Sequence, residues 1–305
     1  MNPIVQLFEK TLPVFVMLCL GMLCRRRNLL TREGVNALKN VAVNIALPAV
    51  MFSAFASAEY TVRSICVPLV IFAVCLASLY LGHALCRTMK IPGRLSPFLS
   101  AGFEAGMLGY ALFAILFPNE TVSSFAMVDL GQVLFVFTVY KVLLARQNGL
   151  KGALKDAASS PTVWAIAAGL LFGASGLYGA LAPSGASAVI DAVSSFVAAP
   201  TSALILLAIG YDLTPTQIQW KKTASLIVLR LGVSLLALGA VLLLDRFVLG
   251  GMMHTGALLL LFILPPPFVL PVFADVDDER ADISSALSAL TVVSILLFAV
   301  LAVVF

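Results

Sequence analysis

Apolar residues run through this chain in blocks of about 20, parted by short polar turns. A block of that length, wound as an α-helix rising about 1.5 Å per residue, matches the roughly 30 Å hydrocarbon layer of a bilayer. The pattern predicts membrane helices at 4–24, 40–57, 62–85, 96–117, 122–145, 161–181, 187–211, 222–244, 253–274 and 283–305. The longest polar stretch between them, RQNGLKGALKDAASSP, follows the fifth. The opening MNPIVQLFEK lacks a basic stretch ahead of its apolar run, so it reads as a retained first helix and not as a signal peptide.

Composition agrees. The 305 residues are 61% hydrophobic and 11% charged, against about 45–50% and about 25% in soluble domains. Such a chain cannot cover a water-facing surface, and ten helices leave no room for a soluble catalytic domain. It is an all-α integral membrane protein.

The basic residues predict an orientation. Turns after odd-numbered helices carry Arg25, Arg26, Arg27, Arg32, Lys39, Arg87, Lys90, Arg94, Arg146, Lys151, Lys155, Lys221, Lys222 and Arg280, whereas the opposite face carries Lys10, Arg63 and Arg246. The positive-inside rule then puts both termini outside a cell (inner) membrane. The basic residues form no continuous face, which argues against nucleic acid. Cys19, Cys24, Cys66, Cys75 and Cys86 include no C-x-x-C pair and read as small apolar helix residues.

Ten helices divide into two sets of five: 1–148, a cytoplasmic linker at 149–160, and 161–305. An odd number per set makes a duplicated unit inverted relative to its partner. Sliding the chain by about 158 residues brings EAGMLGYALF (104–113) onto LFILPPPFVLPVF (261–273), and Pro48 near Pro200. Both fourth helices carry helix-disfavouring residues. Gly106 and Gly109 each cost about 1 kcal/mol against alanine in a helix. Pro265, Pro266, Pro267 and Pro271 each lack an N–H, and a proline triplet cannot continue a helix. Broken backbone survives in lipid only where protein or water covers its polar groups. The fourth and ninth helices are therefore expected to be interrupted near the midplane and to pack together. Their half-helix N-termini would form an anion site made of backbone. For Pro13, Pro48, Pro68 or Pro200 alone, a simple kink suffices.

Charged residues inside the apolar blocks are functional candidates by default, since each costs about 2.5–3.5 kcal/mol at a bilayer centre on insertion scales. Glu104 precedes the expected Gly106/Gly109 break. Asp129 lies mid-helix with Gln132 one turn on, and reads as a proton or sodium site or as a hydrogen-bonding acid between helices. Arg230 could pair with Asp129 or Glu104, contact an acidic substrate, or snorkel to the lipid face. Asp191, Asp212 and Asp245 fall near helix ends, at the expected water interface. His83 and His254 have no metal-site company. Gly173-Ala174-Ser175-Gly176 matches G-x-S-G of intramembrane serine proteases, but small residues are common at membrane helix contacts and His254 is three helices away. No other enzyme motif is present, so no enzymatic activity is expected.

Together these residues resemble the auxin efflux carrier family, which covers plant auxin carriers and bacterial carriers of malonate and other organic anions. The resemblance rests on LPVFVMLCLGMLCRRRNLLTREGVNALKNVAVNIALPAVMF with Leu47, Pro48 and Phe52, on VIDAVSSFVAAPTSALILLAIGYDL with Ile209, Gly210 and Leu213, and on LPPPFVLPVFA. It implies ten helices as two inverted repeats, with crossing interruptions in the fourth and ninth. A homodimerising scaffold of helices 1, 2, 6 and 7 would stand beside a transport domain moving as an elevator. The cargo would be a small organic anion, with a proton or sodium ion as the coupling species and no cofactor. The substrate-binding set is then Gly106, Gly109, Pro265, Pro266, Pro267, Phe268 and Asn44, and the coupling set Glu104, Asp129, Gln132 and Arg230. The family commonly shows N-x-G-x-x-G-x-P in the fourth helix; here Glu104 replaces the asparagine and Ala111 the proline. A carboxylate beside an anion site repels substrate unless protonated, so Glu104 is expected to bind the coupling proton, or the altered site takes a neutral or zwitterionic molecule. A sodium/proton antiporter and an anion-binding receptor without transport are the alternative readings.

Overall fold

The computed structural model describes residues 3–58, 60, 65–144, 159–213, 220–270 and 279–305. Arg63, Arg146, Lys151, Lys155, most of the 149–160 linker and Pro271 lie outside the described residues. The regular elements among the described residues are all helices, with no strand. In chain order the helices are α1 (Pro3–Arg26), α2 (Arg32–Ala56), α3 (Cys66–Thr88), α4 (Ser96–Leu116, interrupted) and α5 (Val122–Leu144). They continue with α6 (Pro161–Ala174), α7 (Ala186–Asp212), α8 (Trp220–Leu244), α9 (Thr255–Ile263) and α10 (Arg280–Val304).

Among the described residues, seven of these, α2, α3, α4, α5, α7, α8 and α10, are long and apolar enough to cross a membrane. An eighth is formed if α6 and Leu177–Ser184, bent by 65°, count as one. The nine-residue α9 is too short alone because its apolar block stops being helical at Leu264, ahead of the prolines.

Local chemistry explains the irregularities. Thr31 caps α2 by accepting from the Gly34 N–H at 3.1 Å, as an N-cap threonine should. Pro48 does not break α2. Ahead of it the chain widens into a π-type turn at Ala42–Ala46, which accommodates a ring that would clash with the preceding turn. At Pro200, α7 does break, into Ala186–Ala198 and Thr201–Asp212.

Glycines set the closest helix contacts. A Cβ on Gly21 would lie 2.1 Å from the Leu207 carbonyl oxygen, and one on Gly210 would lie 2.2 Å from that of Leu18. The α1 and α7 backbones thus touch directly, the packing that small residues permit between membrane helices. Gly169 of α6 meets the Phe52 carbonyl of α2 in the same way, and Gly131 of α5 meets that of Pro68 in α3. Around α4, the most enclosed of the seven long helices, Leu108, Leu112, Phe113, Phe125, Leu261 and Phe298 are fully buried. Outward side chains such as Leu171, Phe196 and Leu235 are apolar and exposed, as a lipid-facing surface requires.

Polar pairs gather at one end of the bundle. Lys39 pairs with Asp212, and Lys222 with Asp282 at 2.5 Å. The Glu279 carboxylate accepts from the Arg94 and Leu95 N–H groups at 2.9 and 3.2 Å, joining the turn before α4 to the start of α10. Asp245 departs from expectation. It is buried instead of lying at a water interface, because its Oδ1 accepts from the Met252 and Met253 amides and closes the turn after α8.

Candidate functional site

The interruptions of α4 and α9 touch. After a tight 3-10 turn over Ser96–Ser100, α4 goes extended at Ala101 (φ −125°, ψ 156°). Gly102 follows at φ +70°, and helix resumes at Ala105–Gly109 and Tyr110–Leu116. The break therefore lies at 101–104, upstream of the expected Gly106/Gly109, which sit inside a helical turn. Gly102 makes it, because its left-handed backbone is one that glycine adopts freely. A Cβ there would also meet Pro267 Cγ at 2.8 Å. Gly109 has a packing role instead: a Cβ would strike Leu264 and Phe125 at 2.7 and 2.8 Å. Gly106 packs against Leu47.

In α9 the helix ends at Ile263, Leu264 is extended (ψ 151°), and Pro265–Pro267 follow without regular structure. The Glu104 N–H donates to the Pro265 carbonyl at 2.9 Å, and the Phe103 and Phe262 rings meet edge-on at 5.0 Å.

Two side chains of opposite charge complete the contact. The Glu104 carboxylate, 6% exposed, accepts from the Met107 N–H at 3.2 Å and the Phe268 N–H at 2.5 Å. Met107 lies in the first turn of the half of α4 that resumes at Ala105; Phe268 carries the first N–H after three prolines that have none. One carboxylate thus caps the resuming half of α4 and holds the first amide after the α9 prolines. The position where sequence reasoning placed a substrate anion is filled by the protein's own side chain.

Arg230 of α8, 2% exposed, serves the carbonyl ends of the segments that precede the breaks. Nη1 donates to the Leu99 carbonyl at 3.4 Å and Nη2 to that of Leu264 at 2.9 Å, while Cζ stands 4.7 Å over the Phe103 ring. Helix ends carry partial charge, positive at the amide end and negative at the carbonyl end, so Glu104 at the amide end of the resumed α4 and Arg230 at the carbonyl ends before both breaks each meet an end that they complement. Arg230 neither snorkels nor pairs with Glu104 or Asp129.

Beside this pair lies a second acid. Asp129, 1% exposed, accepts from the Tyr110 hydroxyl at 3.1 Å and from Gln132 Nε2 at 3.0 Å. Gln132 Oε1 accepts from the Phe103 N–H at 3.4 Å. That amide fixes which way Gln132 points, so Asp129 acts as acceptor on both oxygens. A cleft of about 430 Å³, lined by Ser57, Thr121, Ser124, Met253 and His254, includes Val128, the neighbour of Asp129.

Of the other sequence candidates, Asn44 is exposed and makes no hydrogen bond to this cluster. Ser175, exposed, donates to the Phe172 carbonyl, while His254 caps Ala257 and stands 3.9 Å from Glu120. They form no dyad. Among the described residues no group of three metal-ligating side chains exists. Sequence reasoning missed Gly102, Phe103 and Tyr110. Gly102, in GFEAG, was visible as a second glycine near the break; Tyr110 carries no sequence signal tying it to Asp129.

Residues 6–154, just under half of the chain, match the family model for a membrane transport protein, which supports the resemblance to the auxin efflux carrier family. No curated protein matches the chain. The match indicates a membrane transporter with several apolar helices.

Proposed function

We propose that the chain is a member of the auxin efflux carrier family and a secondary active transporter that moves a small organic anion across the cell membrane by alternating access. Ten helices form two inverted repeats, both termini face outside, and α4 and α9 cross at their interruptions. These two helices and their neighbours travel as one body past a dimerising scaffold of α1, α2, α6 and α7. The direct backbone contacts of α1 with α7 and of α2 with α6 support a rigid scaffold.

The observation that carries this reading is the Glu104 carboxylate held by the amides of Met107 and Phe268. Ionised, it repels an arriving anion. Protonated, it loses its charge and holds those amides more weakly, and the substrate enters beside it. Glu104 thus links the coupling proton to the cargo. Proteoliposomes should accumulate a labelled organic acid in response to an imposed pH gradient, and a Glu104→Gln protein should lose that response. Undiminished, still pH-dependent uptake by Glu104→Gln would overturn the proposal.

One observation favours sodium/proton antiport as a second reading. Asp129 accepts from two neutral donors and pairs with no cation among the described residues. That reading requires cation-driven pH changes in dye-loaded vesicles without any organic acid.

A further inference from the structure

Arg230 has one nitrogen without a partner. Its terminal nitrogens hold Leu99 and Leu264, no carboxylate pairs with it among the described residues, and its buried Nε has no acceptor. Four residues along α8, one turn away on the same face, Ser234 is 6% exposed and its Oγ is also buried without a partner. Helical Ser usually satisfies itself on the carbonyl four residues back; here that carbonyl is Arg230's own, and Ser234 does not take it.

Buried polar groups in native proteins are almost always bonded. Two unbonded donors on one helix face, one of them charged, mark a place for a negatively charged acceptor. The rival donors at the breaks, the amides of Met107 and Phe268, already hold Glu104. Arg230 meets two carbonyl ends and an aromatic face, but among the described residues no ionised group faces it and its Nε is left without an acceptor.

We propose that Arg230 Nε and Ser234 Oγ together receive the carboxylate of the transported molecule, a small mono- or dicarboxylate. This rests on the organic-anion reading, and it relocates the anion's point of attachment from the backbone amides to α8. Arg230 then has two tasks, with its terminal nitrogens positioning the two breaks and its Nε binding cargo.

The test uses the full chain in nanodiscs with malonate and acetate as probes. Titration should move the Arg230 ¹⁵Nε resonance saturably, the peak being identified by its loss in Arg230→Lys. Removing Arg230 endangers the fold, so Ser234→Ala is the deciding variant. Ser234 makes no side-chain bond, and a purely structural role would leave binding untouched. Malonate or acetate binding should weaken at least fivefold in Ser234→Ala, with the ligand-free melting temperature unchanged. Full-strength binding by Ser234→Ala, or an Nε resonance that stays still while wild-type protein binds a probe, sinks this inference and leaves the organic-anion reading standing. Wild-type protein that binds neither probe but exchanges sodium for protons sinks both.

Discussion

Phe268 donates its backbone N–H to Glu104 Oε2 at 2.5 Å, a contact between residues 164 positions apart. Truncating Glu104 to alanine would leave this amide and that of Met107, both partly buried, without their acceptor. A fully buried donor left so costs about 1–3 kcal/mol, and a partly buried one less. Glu104→Ala should therefore lower the melting temperature of the purified protein clearly more than Glu104→Gln, which keeps an acceptor oxygen. Equal melting temperatures for the two variants would show that the carboxylate does not hold both amides.

Gly102 gives a second prediction. At φ +70° an alanine pays about 1–2 kcal/mol for the left-handed backbone, and its Cβ would press on Pro267 at 2.8 Å. Gly102→Ala should be destabilised by at least that much and should abolish uptake. Gly106→Ala, whose new Cβ meets only Leu47 at 3.5 Å, should melt within about 1 kcal/mol of wild type, since alanine is the better helix former. Thermal unfolding of the two variants side by side decides which glycine shapes the break.

The contrast shows where sequence reading stops. Pro265–Pro267 betray an interruption because three missing N–H groups are a local fact. A helical cost for Gly106 and Gly109 is local too, but it does not say where the chain turns. That is set by Pro267 lying against Gly102, a contact between distant segments. Arg230 could be read equally as a pairing or a snorkelling residue because its fate depends on carbonyls of α4 and α9. Asp129 announced itself as a charge in an apolar block, and Gln132 as its neighbour one turn on. Tyr110, from another helix, could not be read.

Tyr110→Phe removes one of the two donors to Asp129. A hydrogen bond to a charged group contributes about 1.5–3 kcal/mol, so the variant should lose stability of that order. Gln132→Leu should lose more, because it strips a donor from Asp129 and an acceptor from the Phe103 N–H together. Denaturant or thermal melts in one detergent check the ranking. A Gln132→Leu protein as stable as Tyr110→Phe contradicts the network.

The close approach of α1 and α7 leaves no space for side chains. Gly210→Val would place its Cβ 2.2 Å from the Leu18 carbonyl, and overpacking costs about 1–3 kcal/mol. By contrast, Lys222→Met should shift stability by less than about 1 kcal/mol, since the Lys222–Asp282 pair is partly exposed. Melting curves of both variants test whether backbone contact outweighs the ion pair.

Proton movement tied to organic acid movement is the most direct probe of Glu104. Proteoliposomes loaded with a pH-sensitive dye receive labelled malonate outside, and label and lumen pH are followed together. Wild-type protein should carry both inward, and Glu104→Gln should carry no protons. Lumen acidification of equal size in the Glu104→Gln vesicles, or acidification that needs no malonate, would contradict the role given to this carboxylate.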